Sequence, residues 1–190
     1  NKLTNGSWVS TPQMLWKNNR DKHYFIGVYP ISAISDLSAG EYTFDETKQV
    51  ESDLLVAVNK DGLSYNVDEQ QPVPLTFTHV MAKLVVNLTY KNQWGTEGPT
   101  VDKVAVGNAA KKATVNYLTK VVTPSAVAED KADFDMPVLT ANKKYASIII
   151  PQDGVQKITI TIGDKNFIYD NGTPFKLESG KITTVNLEVG

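Results

Sequence analysis

The alternation of apolar and polar positions is strongest in residues 74–90, PLTFTHVMAKLVVNLTY. Leu75, Phe77 and Met81 share one phase of a two-residue period, with His79 between them in the same phase. Thr76, Thr78 and Val80 hold the other phase. After Met81 the phase slips: Ala82, Leu84, Val86, Leu88 and Tyr90 alternate with Lys83, Val85, Asn87 and Thr89. Successive side chains of a strand point to opposite faces, so a regularly paired strand cannot change which face is apolar. The slip predicts a bulge, a sharp bend or passage from one buried layer to another. On this reading the stretch ends one sandwich and starts the next.

Elsewhere the pattern predicts short strands. Residues 1–23 show no clean period and read as an irregular segment that packs Trp8 and Trp16 on a neighbouring core. Residues 24–30, YFIGVYP, read as a short strand closed by proline, and residues 31–49 as a long exposed connection. In residues 53–67, Leu54, Val56 and Val58 alternate, Lys60-Asp61-Gly62 supplies a turn, and Leu63, Tyr65 and Val67 return, which predicts a hairpin. Residues 68–72 form a polar loop.

Further on, residues 94–99 (WGTEGP) read as a loop and residues 101–106 as a strand with Val104 and Val106 on one side. Ala113, Val115 and Tyr117 keep the two-residue period, and residues 125–132 suggest a helical turn. Residues 145–151, YASIIIP, form an apolar run of the kind found at a sandwich centre. Ile158, Ile160 and Ile162 alternate with threonines, and Gly163-Asp164-Lys165 turns the chain into a second hairpin. Ser179-Gly180-Lys181 turns it into a last strand bearing Val185, Leu187 and Val189.

No long amphipathic helix is visible. Many short strands with turn signals between them predict an all-β sandwich architecture. From Ala82 onward there are about seven strands, the content of one complete sandwich. Before it there are about four, too few for a second core of the same type. The expected organisation is an N-terminal sandwich in residues 1–81, short of material at its N-terminus, and a C-terminal sandwich in residues 82–190.

The chain has 190 residues and a formal net charge of -2, with charges of both signs mixed along it. There is no basic footprint for nucleic acid and no apolar run long enough to cross a bilayer as a helix. No charged-then-apolar leader is visible, so a signal peptide is absent or already removed. Cysteine is absent, which excludes thiol catalysis, disulfides and cysteine-ligated zinc and leaves the compartment open.

Candidate chemistry is sparse. His79 sits on the apolar phase without a partner marked by spacing, so it reads as a buried or half-buried structural histidine at the domain junction. His23 borders a strand and carries no motif. Asp130, Asp133 and Asp135 in AEDKADFD alternate as calcium ligands can, but the glycine and closing glutamate of a calcium loop are missing, and a solvated loop is the better reading. There is no phosphate-binding glycine loop, no H-E-x-x-H and no G-x-S-x-G. No catalytic, cofactor-binding or metal-binding residue is assigned, and no cofactor is expected.

The order of motifs resembles the fimbrillin family of Bacteroidetes, the Mfa-like and FimA-like subunits of surface pili. The resemblance is carried by Trp8 and Trp16, then YFIGVYP, then Asp53 to Ala57. It continues through LTFTHVMAKLVVNL, then IIIPQ at Ile148 to Gln152, and a Gly-Lys turn before the closing strand. It implies two tandem transthyretin-like, Greek-key β-sandwich domains. It also implies export as a lipoprotein, location at the outer membrane, and assembly with other fimbrial subunits by strand donation. The chain departs from the family pattern in starting partway through the first domain, without a lipobox cysteine. Asn5-Gly6-Ser7, Asn87-Leu88-Thr89 and Asn171-Gly172-Thr173 match the N-glycosylation acceptor pattern, which is discounted in a bacterial chain.

The physical logic agrees. An incomplete sandwich exposes unpaired backbone N–H and C=O groups beside an open apolar groove. A strand from another subunit satisfies both, head to tail, and builds a fibre. The expected function is therefore a structural or accessory fimbrial subunit, with no enzymatic activity. The alternative is a carbohydrate- or host-binding adhesin module, with surface receptors as partners, and Trp8, Trp16, Trp94 and Tyr117 as its candidate aromatics.

Overall fold

The computed structural model describes residues 15–30, 34–65, 73–95 and 98–190, together with the backbone pairing of residues 2–4 and 7–9. The fold is all-β. In chain order the strands are β1 (Lys2–Thr4), β2 (Ser7–Val9), β3 (Ile26–Tyr29), β4 (Gly40–Thr43), β5 (Leu55–Val58) and β6 (Thr78–His79). There follow β7 (Ala82–Tyr90), β8 (Lys103–Ala110), β9 (Lys112–Asn116), β10 (Val121–Pro124) and β11 (Lys131–Asp135). The last are β12 (Val138–Thr140), β13 (Lys144–Ile149), β14 (Lys157–Ile162), β15 (Lys165–Asp170) and β16 (Ile182–Val189).

Two four-stranded sheets dominate, ordered β12-β13-β7-β16 and β11-β8-β14-β15. Among the described residues there are also two three-stranded sheets, β3-β5-β6 and β10-β9-β4, and the β1-β2 pair. The phase slip marks a real transition. Val80, Met81 and Ala82 are all buried, and the run breaks between β6 and β7, which lie in different sheets. Of the three outcomes left open, passage between layers is the one found. A second run breaks in the same way at Lys111, between β8 and β9.

Among the described residues one core runs from Phe44 to Val189. It joins Leu54, just before β5, and Val56 of β5 to Leu84, Val86 and Leu88 of β7. It also takes in Val104, Val106, Val115, Ile158, Ile160, Val185 and Leu187. Gln152 stitches the two four-stranded sheets: its Oε1 accepts from the Ala110 N–H at 2.8 Å and its Nε2 donates to the Ile150 carbonyl at 2.9 Å. A buried amide is tolerated because it is satisfied.

Three strand expectations need correction. The hairpin expected in residues 53–67 does not form: β5 pairs with β3 and β6, and Leu63 bridges back to His23. The turn at Gly62, with φ +66, is an excursion along one ladder rather than a reversal. Val67 and the loop 68–72 lie outside the described residues. The connection expected in residues 31–49 contains β4, which pairs with β9. Residues 74–77 carry no strand. The helical turn expected in residues 125–132 is a short 3-10 turn, Ala128–Asp130. The second hairpin closes as expected, with Ile162 opposite Lys165. The last strand buries Val185, Leu187 and Val189.

Candidate functional site

β12 is short. It pairs with β13 only at Val138↔Tyr145 and Thr140↔Lys144, and the Pro137 carbonyl accepts from the Ala146 N–H at 3.1 Å. Beyond Ala146, β13 has no strand beside it on that edge among the described residues. Side chains stand in for one. Gln49 Oε1 accepts from the Ile148 N–H at 2.7 Å, Ser147 Oγ donates to the Ile148 carbonyl at 2.7 Å, and Gln152 covers the Ile150 carbonyl.

Gln49 is held in turn by the Glu46 carbonyl at 2.9 Å and by Ser147 Oγ at 3.1 Å. It rides on a strap, residues 45–53, closed on itself by Ser52 Oγ, which donates to the Asp45 carbonyl at 2.9 Å and accepts from the Asp45 N–H at 3.1 Å. A groove of about 400 Å³ lies between this strap, β3, β5 and the β12–β13 edge. Tyr29, Val50, Leu55, Leu139 and Ile148 form its apolar wall, and Asp53 and Lys83 supply its charges. Val50, Leu139 and Tyr29 are 67%, 55% and 48% exposed. Clustered apolar exposure of this kind marks an interaction surface.

His79 stands beside the groove, with Nδ1 2.9 Å from the Asp53 carboxylate. Its side chain is 60% exposed, which corrects the expectation of a buried or half-buried histidine. The apolar phase it shares with Phe77 and Met81 ends at the break after β6, so the ring turns to solvent. The carboxylate partner, unmarked by spacing, comes from 26 residues away. His23 accepts from the Lys17 N–H through Nε2 at 3.2 Å, and its Nδ1 lies 3.0 Å from the Asp21 carbonyl. It is therefore tied into its local turn.

The three aspartates do not converge. Asp130 pairs with Lys112 at 2.7 Å, Asp133 accepts from the Asn108 N–H at 2.7 Å, and Asp135 pairs with Lys103 at 3.6 Å. No group of three or more histidines or acidic side chains among the described residues is arranged to hold a metal ion. Lys112 and Ser125 hold the Asp130 carboxyl below its ordinary range. Asn87 lies within β7 and donates to Asn186 at 2.8 Å, while Asn171 sits in an exposed turn, donating to the Thr173 carbonyl at 2.9 Å. The Asn5 motif lies outside the described residues.

Of the candidate aromatics, Tyr117 is buried. Trp16 is half-buried edge-on to His23 and Phe25, and Trp94 edge-on to Phe167. The Trp8 side chain lies outside the described residues. The exposed aromatic cluster that the adhesin alternative requires is not formed by Trp16, Trp94 and Tyr117. An apolar groove beside an open edge is what the sequence leads one to expect of an incomplete sandwich, but nothing in it marks these residues, because Gln49 and Ile148 are 99 residues apart.

The paired sheets and the apolar groove at one edge make this an all-β fold with an exposed surface suited to a partner. Comparison makes this specific. A fimbrillin-like family model matches residues 1–190, and the chain belongs to that family. No curated protein matches it.

Among solved structures, a candidate cell adhesion protein from Bacteroides uniformis superposes with a TM-score of 0.67 at 20% identity, over 88% of this chain and 68% of that one. One from Bacteroides ovatus gives 0.66 at 19%, over 89% and 64%. One from Bacteroides thetaiotaomicron gives 0.56 at 14%, over 86% and 64%. At these identities the likeness establishes the fold, β-sandwich in kind. Family membership points to a structural role at the cell surface rather than to catalysis.

Proposed function

We propose that this chain is a structural or accessory subunit of surface fimbriae, without enzymatic activity, that joins other subunits by strand addition at the β13 edge. The observation that carries this reading is the Ile148 edge, covered by side chains alone and flanked by an apolar groove. An incoming extended segment replaces the Gln49 contact with ladder hydrogen bonds and lays alternate side chains over Leu55, Leu139 and Ile148. Backbone bonds supply affinity and the groove supplies selectivity. The contact is head to tail and extends without closing.

The proposal includes export as a lipoprotein and residence at the outer membrane. It keeps the division into residues 1–81 and 82–190 as two tandem sandwiches, with β9 of the second region pairing back to β4 of the first. Surface receptors belong to the adhesin alternative, which the dispersed aromatics do not favour.

The test is immunogold microscopy of cells carrying a tagged copy, beside a Leu139→Lys copy. Label along or at the ends of filaments, lost or sharply reduced with the variant, is expected. Filament labelling unaffected by Leu139→Lys would remove β13 as the joint, and absence of label from any filament would remove the fimbrial role.

A further inference from the structure

Among the described residues the opposite edge of the same sheet is also open. β16 pairs in parallel with β7 along its whole length, from Ile182↔Lys83 to Val189↔Tyr90, and no described strand lies on its other side. The Lys83 N–H donates to the Lys181 carbonyl at 2.9 Å and the Lys91 N–H to the Val189 carbonyl at 3.0 Å. Odd-numbered backbone groups therefore face β7. By strand alternation, Ile182, Thr184, Asn186 and Glu188 direct their N–H and C=O groups outward.

Natural sheets guard such edges with short strands, bulges, prolines or charges. The other outer strands here do so. β3, β4, β6 and β12 are short, β10 ends in Pro124, and β11 has a register shift and three charged residues. β15 carries Lys165 and Asp170. β16 is eight residues long, ITTVNLEV, with no proline, glycine or bulge and a single charge, Glu188.

We infer that this edge pairs antiparallel with β16 of a second copy of the chain, about Val185. That alignment sets Thr184 opposite Asn186 of the second copy, two polar side chains able to hydrogen-bond across the pair. It sets Ile182 opposite Glu188 of the second copy. Lys83 lies next in the same cross-strand row as Ile182, so the incoming carboxylate meets a lysine at each end. Parallel pairing in register would instead place Glu188 against Glu188. The product is one continuous eight-stranded sheet with a closed two-fold contact. It joins two subunits side by side and does not depend on strand addition at β13, which lies on the other edge.

The test is sedimentation equilibrium of the purified chain over a concentration series, with Thr184→Pro and Asn186→Pro variants. Each proline removes one outward N–H and leaves the β7 ladder intact, which edge positions tolerate. A monomer–dimer equilibrium is expected, weakened at least about tenfold in each proline variant, since by the two-fold symmetry each substitution removes two main-chain bonds and the ring also obstructs approach.

Hydrogen exchange on the unsubstituted chain gives a second readout, independent of whether the variants fold: the Thr184 and Asn186 amides should gain protection with concentration. A chain that stays monomeric would overturn the inference. So would folded proline variants that dimerise as well as the parent, open-ended oligomers in place of dimers, or amide protection that ignores concentration.

Discussion

Lys111 is ion-paired with Glu46 at the point where the chain leaves one sheet for another. Its ammonium lies 5.3 Å from the ring centroid of Phe44 and 5.4 Å from that of Phe134. Its N–H donates to the Asp130 carbonyl and its carbonyl accepts from the Phe44 N–H, each at 2.7 Å. One residue thus joins β4, the β8–β9 run and β11. Lys111→Met keeps the aliphatic stem but removes the pair and the cation–π contacts. It should lower stability by about 1–3 kcal/mol, read as a shift in the urea midpoint at constant slope.

The same pair gives an acid dependence. The Lys111 hydrogen bond holds the Glu46 carboxyl below its ordinary value of 4.5. A depressed folded-state value means the contribution is complete above that ordinary value and is lost as pH falls below it. Unfolding free energy measured from pH 7 down to pH 3 should fall less steeply in Lys111→Met than in the parent. Equal slopes would show that the pair carries none of the acid sensitivity.

Burial pushes the Tyr42 hydroxyl up to about 12, and it donates to the Ser52 carbonyl at 2.6 Å. A raised value makes the protonated form the folded one, so its contribution is present below pH 10 and lost as pH rises from 10 toward 12. Tyr42→Phe should cost about 1 kcal/mol at neutral pH and soften the alkaline loss of stability. Tyr90, also pushed up to about 12 by burial, should keep part of that loss in place.

Gln49→Ala removes the acceptor for the Ile148 N–H. That amide should exchange several-fold faster in deuterium exchange resolved by residue, while the Tyr145 amide, within the β7–β13 pairing, should not change. Equal rates at Ile148 would mean that the Gln49 cap does not protect this edge.

Gly180 has φ +68, and a Cβ there would lie 2.9 Å from the His79 carbonyl. Both the backbone angle and the approach select glycine. Gly180→Ala should destabilise by more than about 1 kcal/mol, seen as a lower thermal midpoint with unchanged circular dichroism at 20 °C.

The layer change at Met81 was legible because bulky residues mark both phases. The similar break at Lys111 was not. Val104 and Val106 are even-numbered while Ala113, Val115 and Tyr117 are odd-numbered, so a slip is present. Gly107, Asn108 and two alanines dilute it, and Asn108 takes a φ of 53 that nothing nearby in sequence announces.

β4 was lost among serines and acidic residues, although Gly40, Tyr42 and Phe44 keep the two-residue period. The Lys60-Asp61-Gly62 signal was misread as a reversal because turn chemistry reports local dihedrals and not which strand follows. The groove had no local signature. Its parts come from five strands and a strap, and only the folded ladder brings them together.

The direction of β16 also governs how the molecule takes mechanical load. β7 and β16 run parallel, so tension entering before Ala82 and leaving after Val189 grips opposite ends of their ladder. All of its bonds then resist in shear together. The antiparallel β14–β15 hairpin, gripped at Lys157 and Asp170 on the same end, unzips one bond at a time. A pull along the chain is therefore borne first by the β7–β16 ladder, and the β14–β15 hairpin, which lies between those strands in sequence, is loaded only after they part.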